Sequence, residues 1–86
     1  MPISYVLINS NLGTDVEIIA KIKKMLANQN DVKLDIHGVY GVYDIIVKLS
    51  SDDSTKLRSI VTSEIRKIEN VQSTLTMMVI QQQEKS

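Results

Sequence analysis

The sequence predicts a ferredoxin-like α+β fold, in which a four-stranded antiparallel sheet carries two helices on one of its faces. Three observations predict this fold. Four segments carry apolar residues in strand patterns, two segments between them carry apolar residues at helical spacing, and the resulting order is βαββαβ. Right-handed connections in both strand–helix–strand units favour the sheet order 4-1-3-2.

The first predicted strand runs from Ile3 to Asn9 and is apolar on both faces, which is typical of a strand in the middle of a sheet. The segment Thr14-Asp15-Val16-Glu17 has the pattern of a capping box. In such a box the Thr14 hydroxyl accepts from the Glu17 N–H, and the Glu17 carboxylate accepts from the Thr14 N–H. We therefore expect the first helix to begin at Asp15.

The first predicted helix has an apolar stripe on one face, with residues three or four positions apart. The stripe consists of Val16, Ile19, Ile22 and Leu26, and it is widened on one flank by Ile18 and Met25. We expect this stripe to pack against the sheet.

The second predicted strand, from Val32 to Tyr40, alternates apolar and polar residues and therefore has one face in solvent. Such a strand belongs at the edge of the sheet. It carries His37, the one histidine of the chain, and histidine is the commonest general base in enzymes. Two interpretations of His37 stay open, an exposed edge-strand residue and a general base.

The turn after the second strand contains Gly38 and Gly41 and runs directly into the apolar segment Ile45–Leu49. Both glycines can adopt positive φ at little cost, which allows the chain to reverse sharply here. Because Ile45–Leu49 is apolar on both faces, it is predicted as the second central strand, covered on both sides. Asp44 stands where the turn becomes strand, and its carboxylate is expected either to cap local N–H groups or to face a ligand.

The second predicted helix follows a polar loop, residues 50–54, whose aspartates suit a helix N-terminus. Its apolar face consists of Leu57, Ile60, Val61, Ile65 and Ile68. The fourth predicted strand, Val71 to Ile80, places Thr74, Thr76 and Met78 on one side and Leu75, Met77 and Val79 on the other. Residues 81–86 are expected to form a polar tail, and the whole chain is expected to be one domain.

The composition excludes several functional classes. The chain has no cysteine and one histidine, so neither a disulfide nor a His/Cys metal site is expected, and no cofactor is indicated. Ten basic and ten acidic residues cancel, which leaves no net field to attract nucleic acid or a membrane. The N-terminus begins a strand pattern without a signal peptide or a transmembrane span, so a cytoplasmic location is expected. The partner is therefore expected to be a protein or a small molecule.

Two helices can cover only one side of the predicted sheet, which leaves apolar residues of the other side without partners. A contiguous exposed apolar face of that size indicates an interface. We expect two sheets to pack face to face in a dimer, which would also stabilise a chain of 86 residues that buries little surface alone.

Three segments resemble the effector-sensing domain of the Lrp/AsnC transcription regulators, which is also called the RAM domain, for regulation of amino-acid metabolism. They are Gly41–Lys48, Ile68–Val71 and Ser73–Thr76. The Gly-x-Tyr-Asp turn in the first of them is the most specific. The resemblance extends from Ile3 to Ile80, which is essentially the whole chain.

The resemblance implies a domain of the dimeric α+β barrel type, which dimerises through its sheet and often assembles four dimers into a ring. It also implies that a small effector, usually an amino acid, binds between dimers near the turn. The residues that match the family's effector site are Tyr40, Gly41, Tyr43 and Asp44 in the turn and Ser73, Thr74 and Thr76 in the last strand. Amides of the turn would hold a carboxylate of the effector, and Asp44 would meet its ammonium group.

Full regulators of this family carry an N-terminal helix-turn-helix, whereas the first predicted strand of this chain starts at Ile3. The chain therefore resembles a stand-alone version of the domain, which senses an effector or mixes with full-length relatives. Direct binding to nucleic acid is not expected of it.

Two other functions stay open from the sequence. One is a small cofactor-independent enzyme of the dimeric α+β barrel type, such as a monooxygenase, with His37, Tyr40 or Asp44 as base. The sequence groups no nucleophile, acid and base convincingly. The other is an RNA-binding module of the same topology, which needs aromatic and basic residues where this sheet face has aliphatic ones. The leading prediction is a non-enzymatic effector-binding module.

Overall fold

The computed structural model describes residues 2–79, and its four strands form one antiparallel sheet in the order β2-β3-β1-β4. This is the predicted order 4-1-3-2 counted from the opposite edge, so the ferredoxin-like fold is confirmed. The predicted tail, residues 81–86, and the predicted last strand residue, Ile80, lie outside the described residues. The elements up to the second helix are β1 (Ile3–Ser10), α1 (Asp15–Leu26), β2 (Lys33–Gly38) and β3 (Ile45–Ser50), and the last two are α2 (Ser54–Ser59) and β4 (Val71–Met78).

The core lies between one face of the sheet and the two helices. Residues directly opposite each other in paired strands share a face, and β1 pairs with β3 so that Val6 faces Val47 and Ile8 faces Ile45. All four side chains are fully buried. The other buried apolar residues are Leu49 on β3, Ile18, Ile22 and Leu26 on α1, and Leu57, Ile60, Val61 and Ile65 on the second helix.

The second face of the sheet is not covered by any described residue of the chain. Its centre is apolar and consists of Tyr5 and Leu7 on β1, Ile46 on β3, and Leu75 and Met77 on β4. We call these five residues the open sheet face. The central strands were predicted to be covered on both sides, but within one chain the helices cover only one side. Leu75 and Met77 each keep 46% of their surface exposed.

The apolar stripe of α1 agrees with the prediction at Ile22 and Leu26 but not at its N-terminal end. The fully or almost fully buried residues are Ile18, Ile22 and Leu26, which are four apart, whereas Val16 is 71% exposed. Ile19 and Met25 are partly buried at the sides of this stripe. The prediction that Val16 packs on the sheet is therefore wrong, although the helix begins at Asp15 as expected.

The predicted capping box is absent from the start of α1. The Thr14 hydroxyl makes no capping bond to the helix, and instead donates to the carbonyl of Asn11 at 2.6 Å. The Thr14 N–H donates to the same carbonyl at 3.1 Å. The Thr14 N–H that the box would have needed as a donor is thus used inside the loop, and the bond to Asn11 orients the Thr14 hydroxyl toward the loop.

The second helix begins as predicted, because the Asp53 side chain accepts from the Lys56 N–H at 3.1 Å. After Ser59 the helix widens into a π turn, Ile60–Glu64, and then tightens into a 3₁₀ turn, Ile65–Lys67. The Thr62 hydroxyl donates to the carbonyl of Arg58 at 2.8 Å, and such bonds compete with the regular helix ladder. The four predicted inward residues before Ile68 remain buried, and Ile68 is partly buried.

The strand β2 lies at the edge of the sheet, as its alternating pattern predicted. Leu34 and Ile36 face the helices and are half-buried, whereas Asp35 and His37 are exposed. β2 ends at Gly38 and is shorter than predicted. An ion pair before it joins Asp31 to Lys56 at 2.7 Å, and the hydrogen bond from Lys56 lowers the pKa of the Asp31 carboxyl below its ordinary value.

Ser4 is a polar residue inside the core, and it provides a test of the packing. Its side chain is fully buried between the partners Leu49 and Met78, and its hydroxyl finds no hydrogen-bond partner among the described residues. A buried hydroxyl without a partner costs about 1–3 kcal/mol. We expect Ser4→Ala to raise the free energy of unfolding by about 1 kcal/mol in urea denaturation.

The matched control is Ser51→Ala. Ser51 is equally buried, but its hydroxyl oxygen accepts from the Asp53 N–H at 3.1 Å. This variant should lower the free energy of unfolding by about 1 kcal/mol. An equal loss of stability in both variants would show that the Ser4 hydroxyl has a partner.

Candidate functional site

The turn between β2 and β3 is closed by backbone bonds at its base. The Val39 N–H donates to the Asp44 carbonyl at 2.8 Å. Gly41 has φ of +144°, a backbone conformation that residues other than glycine rarely adopt. Gly38 does not have positive φ, because it is the last residue of β2 and pairs with Ile45. Of the two turn glycines, Gly41 therefore uses the positive φ that both can adopt, and Gly38 does not.

Asp44 connects the start of β3 to the end of β1 through three hydrogen bonds. Its N–H donates to the Ile8 carbonyl at 3.0 Å. Its Oδ2 accepts from the Ser10 N–H at 2.9 Å and from the Ser10 hydroxyl at 3.3 Å. The carboxylate thus caps an N–H that is 34 residues away in sequence, not a local one. Its Oδ1 has no partner among the described residues and remains available.

A cleft of about 440 Å³ lies between this turn and the loop that joins β1 to α1. Asp44 and Tyr40 come from the turn, and both were predicted as site residues. The remaining lining residues are Ser10, Asn11, Leu12, Gly13, Asp15, Val39 and Gln72. Binding sites for small molecules generally have volumes of roughly 300–1,000 Å³, so the cleft lies within the range for a small ligand.

Two smaller cavities adjoin the cleft. One has a volume of about 230 Å³ and is lined by Asp15, Gly38, Val39 and Tyr40, three of which also line the cleft. The other has a volume of about 130 Å³ and shares Gln72 with the cleft. Its other lining residues are Arg66, Val71, Ser73 and Thr74.

The structure does not bring all the predicted site residues to one cavity. Ser73 and Thr74 line the smallest cavity, and Thr76 lines none of these three. Ser73 pairs with Asn9, whose side-chain amide approaches the Ser73 hydroxyl at 3.5 Å. Thr74 pairs with the buried Ile8, so its side chain lies on the helix side of β4.

Gly41 and Tyr43 shape the turn but do not line the cleft. Tyr43 is half-buried, whereas the residue before it, Val42, is 85% exposed. These two predicted site residues therefore lie in the turn but outside the cleft of a single chain.

The second wall of the cleft, the loop of residues 11–14, was not predicted as part of the site. Its start is held to the turn before β4, because the Asn11 N–H donates to the Asn70 carbonyl at 2.9 Å. The two asparagine side chains are also joined, at 3.1 Å. Asn70 has φ of +76°, which asparagine tolerates better than most residues. These bonds fix the loop beside the glycine turn.

The two segments that line the cleft carry four exposed large apolar side chains, of which Leu12 and Tyr40 line the cleft itself. Leu12 and Tyr40 are fully exposed, and Val16 and Val42 are largely exposed. We call these four residues the loop-end patch. Large apolar side chains that are grouped on a surface generally mark a contact with another molecule.

The charges inside the cleft are negative. Among the described residues that line it, Asp15 and Asp44 are acidic, and none is a lysine, arginine or histidine. Within residues 2–79 there is no group of three or more histidine, cysteine, aspartate or glutamate side chains that could hold a metal ion. No helix in the same part of the chain is long and apolar enough to cross a membrane.

His37 lies in a different place from Tyr40 and Asp44. It lines a groove of about 350 Å³ on the second face of the sheet. The other residues of this groove are Tyr5, Asp35, Ile46 and Lys48. The three bases considered for an enzyme are therefore divided between two cavities.

Comparisons with known proteins identify the fold and the domain type. The family model described as the Lrp/AsnC ligand binding domain matches residues 5–86. The crystal structure of FFRP-DM1 has 34% sequence identity and a TM-score of 0.77, over 93% of this chain and 100% of that chain. A search of curated proteins finds no match.

Two solved regulators share the fold at lower identity. Escherichia coli AsnC has 23% identity and a TM-score of 0.71, over 94% of this chain and 52% of that chain. This chain thus spans about half the length of AsnC. The transcriptional regulator NMB0573 from Neisseria meningitidis, solved in complex with L-Met, has 9% identity and a TM-score of 0.68, over 99% of this chain and 53% of that chain.

The two glycines of the turn provide a matched pair of substitutions. Gly41→Ala forces alanine to adopt a φ that is readily available only to glycine. We expect this substitution to lower the free energy of unfolding by about 1–3 kcal/mol. At Gly38 an added Cβ would lie 3.6 Å from the nearest atom, Ile19 Cδ1, which is an ordinary contact. Gly38→Ala should therefore cost less than about 0.5 kcal/mol in the same denaturation experiment. Equal losses would contradict the geometry of the turn.

Proposed function

Because this chain belongs to the Lrp/AsnC ligand-binding domain family, we propose that it is a non-enzymatic, oligomeric module that binds an amino-acid effector in transcriptional regulation or amino-acid metabolism. The observation that carries the proposal is the cleft of about 440 Å³, into which the glycine turn presents the fixed carboxylate of Asp44. The binding of L-Met by NMB0573, a regulator of the same fold, supports an amino acid as the ligand class.

The two charged groups of an amino acid find different partners in this proposal. Asp44 Oδ1 meets the ammonium group, while Oδ2 stays bound to Ser10. Backbone amides of the turn, whose conformation depends on Gly41 and Tyr43, hold the carboxylate, because successive N–H groups in a turn form an anion-binding concavity. Tyr40 covers the ligand from the rim.

In this proposal, strand β4 contributes side chains that contact the effector. Its residue Gln72 lines both the cleft and the smallest cavity. Ser73 and Thr74 lie in that cavity, and with Thr76 they remain the proposed hydroxyl partners of the effector. In this proposal they act on an effector that extends past Gln72 or reaches β4 of a neighbouring copy.

The open sheet face supports a dimer. Its five residues are apolar and contiguous across three strands, and the described residues of one chain leave them uncovered. Stacking of two such faces would complete a second core layer. The loop-end patch supports a further contact, through which dimers assemble into a larger ring, a tetramer of dimers.

We also propose that the 86 residues form one domain, which is supported by a family model that accounts for residues 5–86. AsnC is matched over 52% of its length, so the remainder of that regulator has no counterpart in these 86 residues. In this proposal these 86 residues act alone or in mixed assemblies with full-length Lrp/AsnC regulators.

The proposed dimer can be tested by adding one charge to the open sheet face. Leu75 lies on that face, opposite Leu7. Wild type should sediment above the 9.7 kDa of one chain at micromolar concentration, and Leu75→Lys should lower this mass because it removes the contact between open sheet faces. Circular dichroism must show that the variant still folds. A wild-type monomer under the same conditions would contradict the dimer.

The matched control is Thr76→Lys, one residue further along β4. Thr76 is exposed and pairs with Val6, so its side chain lies on the helix side of the sheet. The same charge should leave the dimer intact there. Equal dissociation of both variants would show that the lysine acts through the stability of β4 and not through the open sheet face.

The proposed ligand contact can be tested with Asp44→Asn. The amide keeps the shape of the side chain and an acceptor for Ser10, but it removes the charge that meets the ammonium group. We expect wild type to bind one or more of the twenty amino acids in calorimetry, and to gain about 2.7 kcal/mol of stability at a hundredfold excess over Kd. Asp44→Asn should lose both effects. Equal binding by the variant would show that Asp44 is purely structural.

A further inference from the structure

The negative charge of the cleft indicates which class of amino acid it would bind. This inference rests on the proposed function, the binding of an amino acid in the cleft. An α-amino acid carries one ammonium group, and Asp44 is sufficient to meet it. The cleft nevertheless has a second carboxylate, that of Asp15, and no described lining residue is a cation. We propose that the effector carries a second positive charge in its side chain, as lysine, ornithine and arginine do, and that Asp15 recognises this charge.

The position of Asp15 supports this assignment. It lines the cleft together with Asp44, and it also lines the adjoining cavity of about 230 Å³. Asp15 therefore lies where the two cavities meet, whereas Asp44 lines the cleft but not the second cavity. A ligand whose α-amino group is bound at Asp44 can extend its side chain past Asp15 into the second cavity.

The surroundings of Asp15 leave its carboxylate accessible. It has neither an ion pair nor a side-chain hydrogen bond among the described residues, unlike Asp31 and Asp44. The residue facing it is Gly38, where even an added Cβ would remain 3.9 Å from Asp15 Oδ2. The absence of a side chain at position 38 thus keeps space in front of the carboxylate.

The apolar lining suits the rest of such a ligand. Val39 and Tyr40 line both spaces, so they can contact the methylene groups of a long basic side chain. The ring of Tyr40 also offers a face to a guanidinium or ammonium group. An acidic amino acid would instead place a third carboxylate beside Asp15 and Asp44, which is unfavourable.

The inference is tested by calorimetry on the full chain with two pairs of ligands of similar shape. Arginine is compared with citrulline, and lysine with norleucine. In each pair only the first carries the side-chain charge. If the side-chain cation of the ligand is hydrogen-bonded to the Asp15 carboxylate, arginine or lysine should bind about ten- to hundredfold more tightly than its neutral counterpart. The preference should decrease as salt is added.

Asp15→Asn should reduce this preference to less than about threefold, while Asp44→Asn should weaken both members of a pair. The matched control is Glu17→Gln, which removes one negative charge from the same first turn of α1 but does not line the cleft. It should keep the wild-type preference. All variants are first compared with wild type by thermal unfolding.

The outcomes separate this inference from the function on which it rests. Equal binding of charged and neutral ligands, or a preference that survives Asp15→Asn, overturns the inference, and the proposed amino-acid function stands if that binding depends on Asp44. If no amino acid binds, basic ones included, the proposed function fails and the inference fails with it.

Discussion

The antiparallel pairing of β1 with β3 is the constraint on which the rest of the structure depends. It runs from Ile3 opposite Ser50 to Ile8 opposite Ile45, and it decides which residues of both strands face the helices. A shift of one residue would exchange the core with the open sheet face. The same pairing brings the end of β1 beside the start of β3, where Asp44 binds Ser10 and extends the connection beyond the last strand pair. The core, the open sheet face and the cleft all follow from it.

Most of the fold could be predicted from the sequence because strands of period two and short connections leave few topologies. The details that failed depend on tertiary contacts. The first helix has large apolar residues at 16, 18, 19, 22, 25 and 26, and this set is wide enough for more than one stripe to fit. The packing selects Ile18, Ile22 and Leu26. The capping box failed for a similar reason, since Thr14 is used to close its own loop onto Asn11.

The candidate site was only partly predictable, since a motif reports residues that are neighbours in sequence. The turn motif identified Tyr40 and Asp44, both of which line the cleft. It could not identify Asn11 or Asp15, which lie more than twenty residues earlier in the sequence. The predicted sheet order contained this information, because an antiparallel β1–β3 pair must place the loop after β1 beside the turn before β3. Which of those loop residues line the cleft depends on the bonds between Asn11 and Asn70.

The open sheet face and the loop-end patch are different surfaces, and this separation has a consequence for regulation. In the proposed assembly the first forms the dimer and the second joins dimers. The cleft opens at the loop-end patch, and Leu12 and Tyr40 belong to both. In the proposed assembly, an effector in the cleft would therefore change the surface that a second dimer meets and would leave the open sheet face unchanged. Effector binding is then linked to the assembly of dimers and not to dimerisation, and because linkage is reciprocal, assembly must change the affinity for the effector by the same factor.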